Sequence, residues 1–275
     1  MRKNMITTLD INLNIDVNTV ETCSRMVQTV IKVLLFQRCQ IPFCFEVFQS
    51  IVKKIPSSPV ESPDENPAYN NFQIRRQCNA ASKLLESISH LFEELSVAIK
   101  ESQQTLQFMV LFGTTVYTAK EAFLINVPKI NRNHHRNSSE AALKQLAMKL
   151  TLADEIQLKP KVKGTTNTFL LIGMNSSESF KNSTLRADLD SDTWHLLEEY
   201  EVPQKCPTLV INLTRQMDSM EIYCDMTSKL NIGNSSKEVV PVCDKVMWYK
   251  IGNGLKGFKD VLIKGKSVWD YAQGR

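Results

Sequence analysis

Residues 34–48 read LLFQRCQIPFCFEVF, an apolar helical pattern that meets a polar pair and then a proline flanked by aromatics. Upstream of it, Val20, Cys23, Val27, Val30, Ile31, Leu34 and Leu35 recur at the three- and four-residue spacing of one helix face. That spacing predicts a first helix over about 19–38. The helix runs into the polar pair Gln37-Arg38, and Pro42 then blocks its continuation. Phe43, Phe45, Val47 and Phe48 open a short second element. A bulky polar pair between two strongly apolar segments needs a reason. Either it caps the helix and bonds core backbone, or it forms part of a surface for a partner.

Working outward, "TLDINLNIDVN" places Leu9, Ile11, Leu13, Ile15 and Val17 on alternate positions, the pattern of a half-buried strand. Residues 56–71, "PSSPVESPDENPAYNN", hold four of the ten prolines and are expected to be a flexible connection inside the domain. Their Ser58-Pro59 and Ser62-Pro63 are minimal sites for a proline-directed kinase. A second helix over about 73–102 follows from Ala81, Leu84, Leu85, Ile88, Leu91, Phe92, Leu95 and Ile99. "LQFMVLFGTT" (106–115) is continuously apolar, like a central strand, and "AFLINVP" (122–128) reads as its hairpin partner. A third helix is expected over about 138–157, with Asn137 as N-cap, Glu140 three residues on, and Leu143, Leu146, Leu150 and Ala153 inside. Strands are expected at "TFLLIGM" (168–174), "TLVINLT" (208–214), "MEIYCDM" (220–226) and "KVMWYKIG" (245–252). This order predicts an α+β fold, three helices on one face of a mainly antiparallel sheet.

The bulk composition narrows the function. With 275 residues, 43% of them hydrophobic, the chain can bury a sizeable core. It has no run of 18 apolar residues to span a membrane, and the start, "MRKNMITTLDINLNID", lacks the apolar region of a secretory signal, so an intracellular protein is expected. The seven cysteines are scattered without a CxxC pair, which argues against a zinc module and for reduced thiols. Residues 245–275 carry seven Lys/Arg against two acids, whereas residues 1–244 carry 26 against 27. The body is therefore not a nucleic-acid surface by charge. "GNGLKG" (Gly252, Gly254, Gly257) matches GxGxxG, but the chain after it is too short for a dinucleotide unit, so these glycines are read as turns. His134-His135 sit in a polar loop. His195 and Glu198 could share a helix face, yet two candidate ligands do not make a site. No GxSxG, Walker loop or HExxH occurs. Neither catalysis nor a cofactor is expected.

The opening stretch has the form of a known signature. An aromatic-Gln-Arg at a helix end, then proline, then an aromatic, here Phe36-Gln37-Arg38, Pro42 and Phe45 or Phe48, resembles the first-helix signature of HORMA domains. Within that superfamily, "VIKVLLFQRCQIPFCFEVF", "QCNAASKLLESISHLFEEL", "VLFGTTVYTAKEAFLINV", "DTWHLLEEYEVP" and "VMWYKIGNGLKGFKD" each look like segments of the comet family, in the same order, over residues 30–260. The resemblance implies one HORMA-like domain over 1–275, with 56–71 as an internal linker, 260–275 as an extension, and a safety-belt-like C-terminal region.

The resemblance also implies a non-catalytic adaptor. It would bind the closed conformer of the spindle-checkpoint protein Mad-two and help the pachytene-checkpoint AAA+ ATPase disassemble the mitotic checkpoint complex. The expected location is nucleus and cytoplasm, on the spindle in mitosis, with no nucleic acid or membrane partner. Carried over by position, the implied partner-binding residues are Gln37 and Arg38 at the end of the first helix and Lys144, Ala147, Met148 and Thr151 on the third. Two positions depart from the family. Its phenylalanine anchor falls at Ala147, and an aromatic anchor can contribute about 2 kcal/mol or more. Its basic segment after the tryptophan is replaced here by Glu198 and Glu199 following Trp194. The extension, with Val268, Trp269 and Tyr271, has no counterpart and is expected to tuck into the domain's own peptide groove. The alternative readings are a peptide-clamping HORMA protein of another checkpoint or chromosome complex, an enzyme, and a nucleic-acid binder using the basic tail.

Overall fold

The computed structural model of the chain describes residues 6–15, 17–54, 67–102, 107–132, 139–158, 164–175, 194–215, 246–263 and 265–269. The expected strand at 220–226, His134-His135, Asn137, both Ser-Pro pairs and Tyr271 lie outside these residues. The alternation at the start forms strand β1 (Ile6–Leu13), with Ile11 and Leu13 facing inward. Thr19 then caps helix α1 (Val20–Gln37), its hydroxyl accepting the Thr22 N–H at 3.1 Å. Helix α2 (Phe45–Lys53) follows the proline, and helix α3 (Pro67–Glu101) is 35 residues long. Residues 67–71, read from sequence as linker, are thus the start of α3. Ile74, Cys78, Ala81, Leu84, Ile88, Leu91 and Leu95 mark its buried stripe.

Strands β2 (Gln107–Gly113) and β3 (Ala119–Asn126) pair antiparallel, Val110 opposite Phe123. The expected third helix is broken. Ala153, with φ −66° and ψ 119°, is extended, so helix α4 (Glu140–Leu152) ends before it and the single turn α5 (Asp154–Gln157) begins after it. The residue at the α4 N-cap is Ser139. The remaining strands are β4 (Asn167–Asn175), β5 (Trp194–Leu197), β6 (Thr208–Arg215), β7 (Val246–Lys256), and the short pair β8 (Leu262–Ile263) and β9 (Lys266–Ser267).

The architecture is α+β. One seven-stranded sheet has the order β1-β6-β3-β2-β4-β7-β5. It is mixed: β1–β6 and β3–β6 run parallel, and the other four pairings antiparallel. Helices α1, α2, α3 and α4 bury their apolar stripes with one sheet face in a cluster that reaches from Ile11 to Trp269. Against the other face, Met109, Leu111, Phe169, Leu171 and Trp248 pack beneath Tyr200 and Cys206, which follow β5. Burial on both faces explains why β2 is continuously apolar rather than alternating. The Tyr200 hydroxyl donates to the Val116 carbonyl at 3.2 Å, and burial, with Cys206 and Tyr117 beside it, pushes its ionisation well up.

Two sequence expectations are corrected here. Trp194–Leu197 is a strand, with His195 opposite Lys250 of β7, so His195 and Glu198 share no helix face. Gly252 (φ 61°) and Gly254 (φ 83°) are not turns between elements; they lie within β7. Between the pairs Leu170–Ile251 and Thr168–Leu255, β7 uses three residues where β4 uses only Phe169, a bulge that needs the left-handed conformation glycine allows.

Candidate partner-binding surface

Helix α1 ends because Arg38 leaves the helical region and Cys39 turns left-handed at φ 54°. That reversal sends the two members of the polar pair in different directions. Arg38 goes inside and is 0% exposed. Its Nε and Nη2 donate to the two oxygens of Glu121 at 2.6 and 2.7 Å, and Nη1 donates to the Ile156 carbonyl at 2.9 Å. The guanidinium also lies 5.1 Å from the centre of the Phe123 ring. Glu121, on β3, is buried at 2%. The pair therefore locks the end of α1, strand β3 and turn α5 together. Arg38 is not available as a partner contact, because a fully buried bidentate ion pair holds it internally.

Gln37 stays at the surface, half-buried. Its Nε2 donates to the Thr151 carbonyl at 3.4 Å, and Gln157 Nε2 donates to that same carbonyl. Carbonyls in the last turn of α4 have no intrahelical partner, so these two amides satisfy one of them. The interruption at Ala153 creates that need. Gln37 thereby stands beside α4.

On α4, Ala142, Leu146 and Leu150 face the core. At 100° per residue, Lys144, Met148 and Thr151 fall within about 60° of one another on the opposite side. Lys144 and Thr151 are exposed, and Met148 is 57% exposed. Leu152, next to Met148 around the helix, is 66% exposed, and Leu158 beyond α5 is 79% exposed. Ala147 is half-buried on the flank nearest Thr151, and its carbonyl accepts the Thr151 hydroxyl at 2.7 Å. Lys149 fixes the helix to β1 by donating to the Asn12 carbonyl at 2.7 Å. The surface is thus a rigid helix with an outward stripe of Lys144, Met148, Thr151 and Leu152, and Gln37 at its C-terminal end. Such a stripe can pack against another helix and offers amide and hydroxyl groups to orient it.

Two residues outside the sequence-derived set shape this surface. Glu121 carried a partial signal: it lies two residues before Phe123 on β3, in the phase that faces the helices. Gln40, 0% exposed, had none. Its side chain donates to the Arg38 carbonyl at 2.7 Å and accepts the Thr166 N–H at 2.8 Å, while its backbone carbonyl accepts the Phe258 N–H at 3.0 Å. It ties the α1 reversal to the segments flanking β4 and β7. Gly257 fits closely beside it: a Cβ there would lie 2.5 Å from Gln40 Oε1 and 2.9 Å from the Gln40 carbonyl oxygen, so a larger residue would have to displace Gln40. The C-terminal residues Val268 and Trp269 are buried, with the indole 6.3 Å from the Phe43 ring and 6.0 Å from that of Phe258.

Among the described residues no group of three or more His, Cys, Asp or Glu side chains could hold a metal ion. None of the described helices is long and apolar enough to cross a membrane. The Cys23 thiol is pushed up to about 12 by burial, against a smaller lowering from Arg132. No protein-family model matches the chain, and no curated protein matches it.

Proposed function

We propose that the chain is a HORMA-like domain and a non-catalytic adaptor that binds the closed conformer of Mad-two through α4 and the end of α1. The observation that carries the proposal is the outward stripe of α4. Met148 and Leu152 are held largely in water on a helix whose other face is fixed by core packing. Burying what remains exposed of two such side chains contributes about 1–2 kcal/mol each, enough to anchor a helix–helix contact. The element order supports the finer fold reading, since a strand, a helix ending in Gln-Arg, a long helix, a central hairpin and a further helix follow as the resemblance implies. With alanine at position 147, Met148 and Leu152 supply the apolar contact that an aromatic would otherwise make, and Met148 adapts readily to a partner surface. The burial of Val268 and Trp269 supports a chain that fills its own groove rather than clamping a foreign peptide.

Delivery of Mad-two to the AAA+ ATPase, and with it silencing of the spindle checkpoint, is the second half of the proposal. Glu198 and Glu199 are exposed where the family is basic, so this contact would be weaker or use other residues. The adaptor would couple ATP hydrolysis to the turnover of a two-state partner.

The test is a calorimetric titration of closed-locked Mad-two into the chain and into its Met148→Glu and Gln37→Ala variants. Binding should weaken by about tenfold or more in Met148→Glu, as expected for a central contact, and measurably in Gln37→Ala. A wild-type chain that does not bind, or a Met148→Glu variant that binds unchanged, would remove α4 as the interface.

A further inference from the structure

The pair Asn253-Gly254 in "GNGLKG" plays no part in the α4 surface, and it is the one place in the chain where glycine follows asparagine. It sits in the bulge of β7. Gly252, Asn253 and Gly254 have no register partner on β4 or β5, so ladder pairing does not fix them. Gly254 is left-handed at φ 83°, and a Cβ on it would lie 2.7 Å from the Phe169 ring, so backbone and ring both favour glycine there. Asn253 is exposed, and its side-chain amide bonds to no described residue. Other asparagines are held. The amides of Asn126, Asn167 and Asn212 donate to Asn212 Oδ1 at 2.8 Å, the Thr114 carbonyl at 3.0 Å and Asp10 Oδ1 at 2.7 Å. Each of these three also precedes a residue with a side chain.

The side-chain carbonyl carbon of an asparagine lies within reach of the next backbone nitrogen, and their bonding closes a five-membered ring. A side chain on that next residue crowds the approach, and glycine removes the crowding. We propose that Asn253 is a site of spontaneous conversion to aspartate and isoaspartate, with water as the only co-reactant. The Gly254 nitrogen gives up its proton and bonds to Asn253 Cγ; the Cγ–Nδ2 bond breaks, and Nδ2 leaves as ammonia with that proton. Water then opens the succinimide. Cleavage of the new N–Cγ bond yields aspartate, and cleavage of the original peptide bond yields isoaspartate, with the chain running through Cβ and Cγ. Either product puts a carboxylate beside the cavity of about 390 Å³ that Glu86 and His90 also line. Isoaspartate further adds a backbone carbon to a bulge packed against Phe169, which loosens the pairing of β7 with β4. The inference does not rest on the adaptor reading, whose interface is α4.

The experiment incubates the folded full chain near neutral pH, digests it with trypsin and follows the Ile251–Lys256 fragment by mass, with isoaspartate counted by a methyltransferase specific for it. A synthetic peptide of residues 249–258 gives the rate without the fold. An Asn253→Gln chain, whose longer side chain would have to close a larger ring, is the control. Asn253 should convert before any other asparagine, at a rate within about tenfold of the peptide's, so that the fold adds no more than about 1.4 kcal/mol to the barrier. The Asn253→Gln fragment should stay unchanged over the same time. Conversion at Asn253 more than about tenfold slower than in the peptide, earlier conversion at another asparagine, or an equal mass gain in Asn253→Gln would each overturn the proposal. The isoaspartate chain, separated by its added negative charge, should unfold at a lower urea concentration than the fresh chain. An unchanged midpoint would overturn the loosening of β7.

Discussion

Replacing Glu121 by glutamine keeps the shape of the side chain and removes its charge, leaving the Arg38 guanidinium buried without a counter-ion. The structure gives the size of the effect. Both side chains are nearly inaccessible, at 0% and 3% exposure, and two hydrogen bonds of 2.6 and 2.7 Å join them. Breaking a buried pair by removing one partner costs about 3–5 kcal/mol, because the remaining charge stays desolvated. At about 2 °C per kcal/mol for a chain of this size, the melting temperature of Glu121→Gln should fall by roughly 6–10 °C. Urea denaturation gives the free energy directly, and a double variant supplies the control. Arg38→Met with Glu121→Leu removes both charges and should be less destabilised than either single change. A Glu121→Gln chain that loses less than about 1 kcal/mol, the range of an exposed pair, would refute the buried lock and return Arg38 to the surface.

Three further outcomes follow from the packing. Cys23 is buried with its thiol raised to about 12 from 9.0, so its contribution to stability is intact below pH 9 and is lost as the pH rises towards 12. By pH 11 that linkage amounts to roughly 2–3 kcal/mol, and Cys23→Ala should show a correspondingly flatter loss of stability from pH 9 to 11 in urea titrations. Gly257→Ala should cost about 2 kcal/mol, since its Cβ would meet the Gln40 side chain at 2.5 Å and the Gln40 backbone carbonyl at 2.9 Å; wild-type stability would show that the α1 reversal yields easily. Trp269→Ala should cost about 3–5 kcal/mol if the indole is core, measured by the same denaturation, and a loss under about 1 kcal/mol would place it outside the core.

The fold was legible in sequence wherever one periodicity held over many residues. The stripe of α1 and the apolar run of β2 each formed the element expected, and the alternation at the start did so as far as Leu13, short of Ile15 and Val17. The misreadings occurred where a local backbone event outweighed periodicity. Ala153 carries no breaker signal, yet its extended conformation splits the expected third helix and creates the open carbonyl that Gln37 meets. Trp194–Leu197 is too short to show alternation, so its strand character comes from pairing with β7 rather than from its own residues. The bulge at the glycines of "GNGLKG" depends on the register with β4, which lies some 80 residues earlier in the chain. For the candidate site, sequence and resemblance together picked out the α4 positions and Gln37. The separation of Gln37 from Arg38 could not be read, because it depends on the left-handed turn at Cys39 and on Glu121, 83 residues away.

On the proposed function, the domain recognises one conformer of a two-state partner through α4. The most direct test is to titrate the chain with Mad-two locked closed and with Mad-two locked open under identical conditions. Binding to the closed form should be at least about 100-fold tighter than to the open form, a preference of roughly 2.7 kcal/mol. Equal affinity for the two forms, or binding to neither, would contradict it.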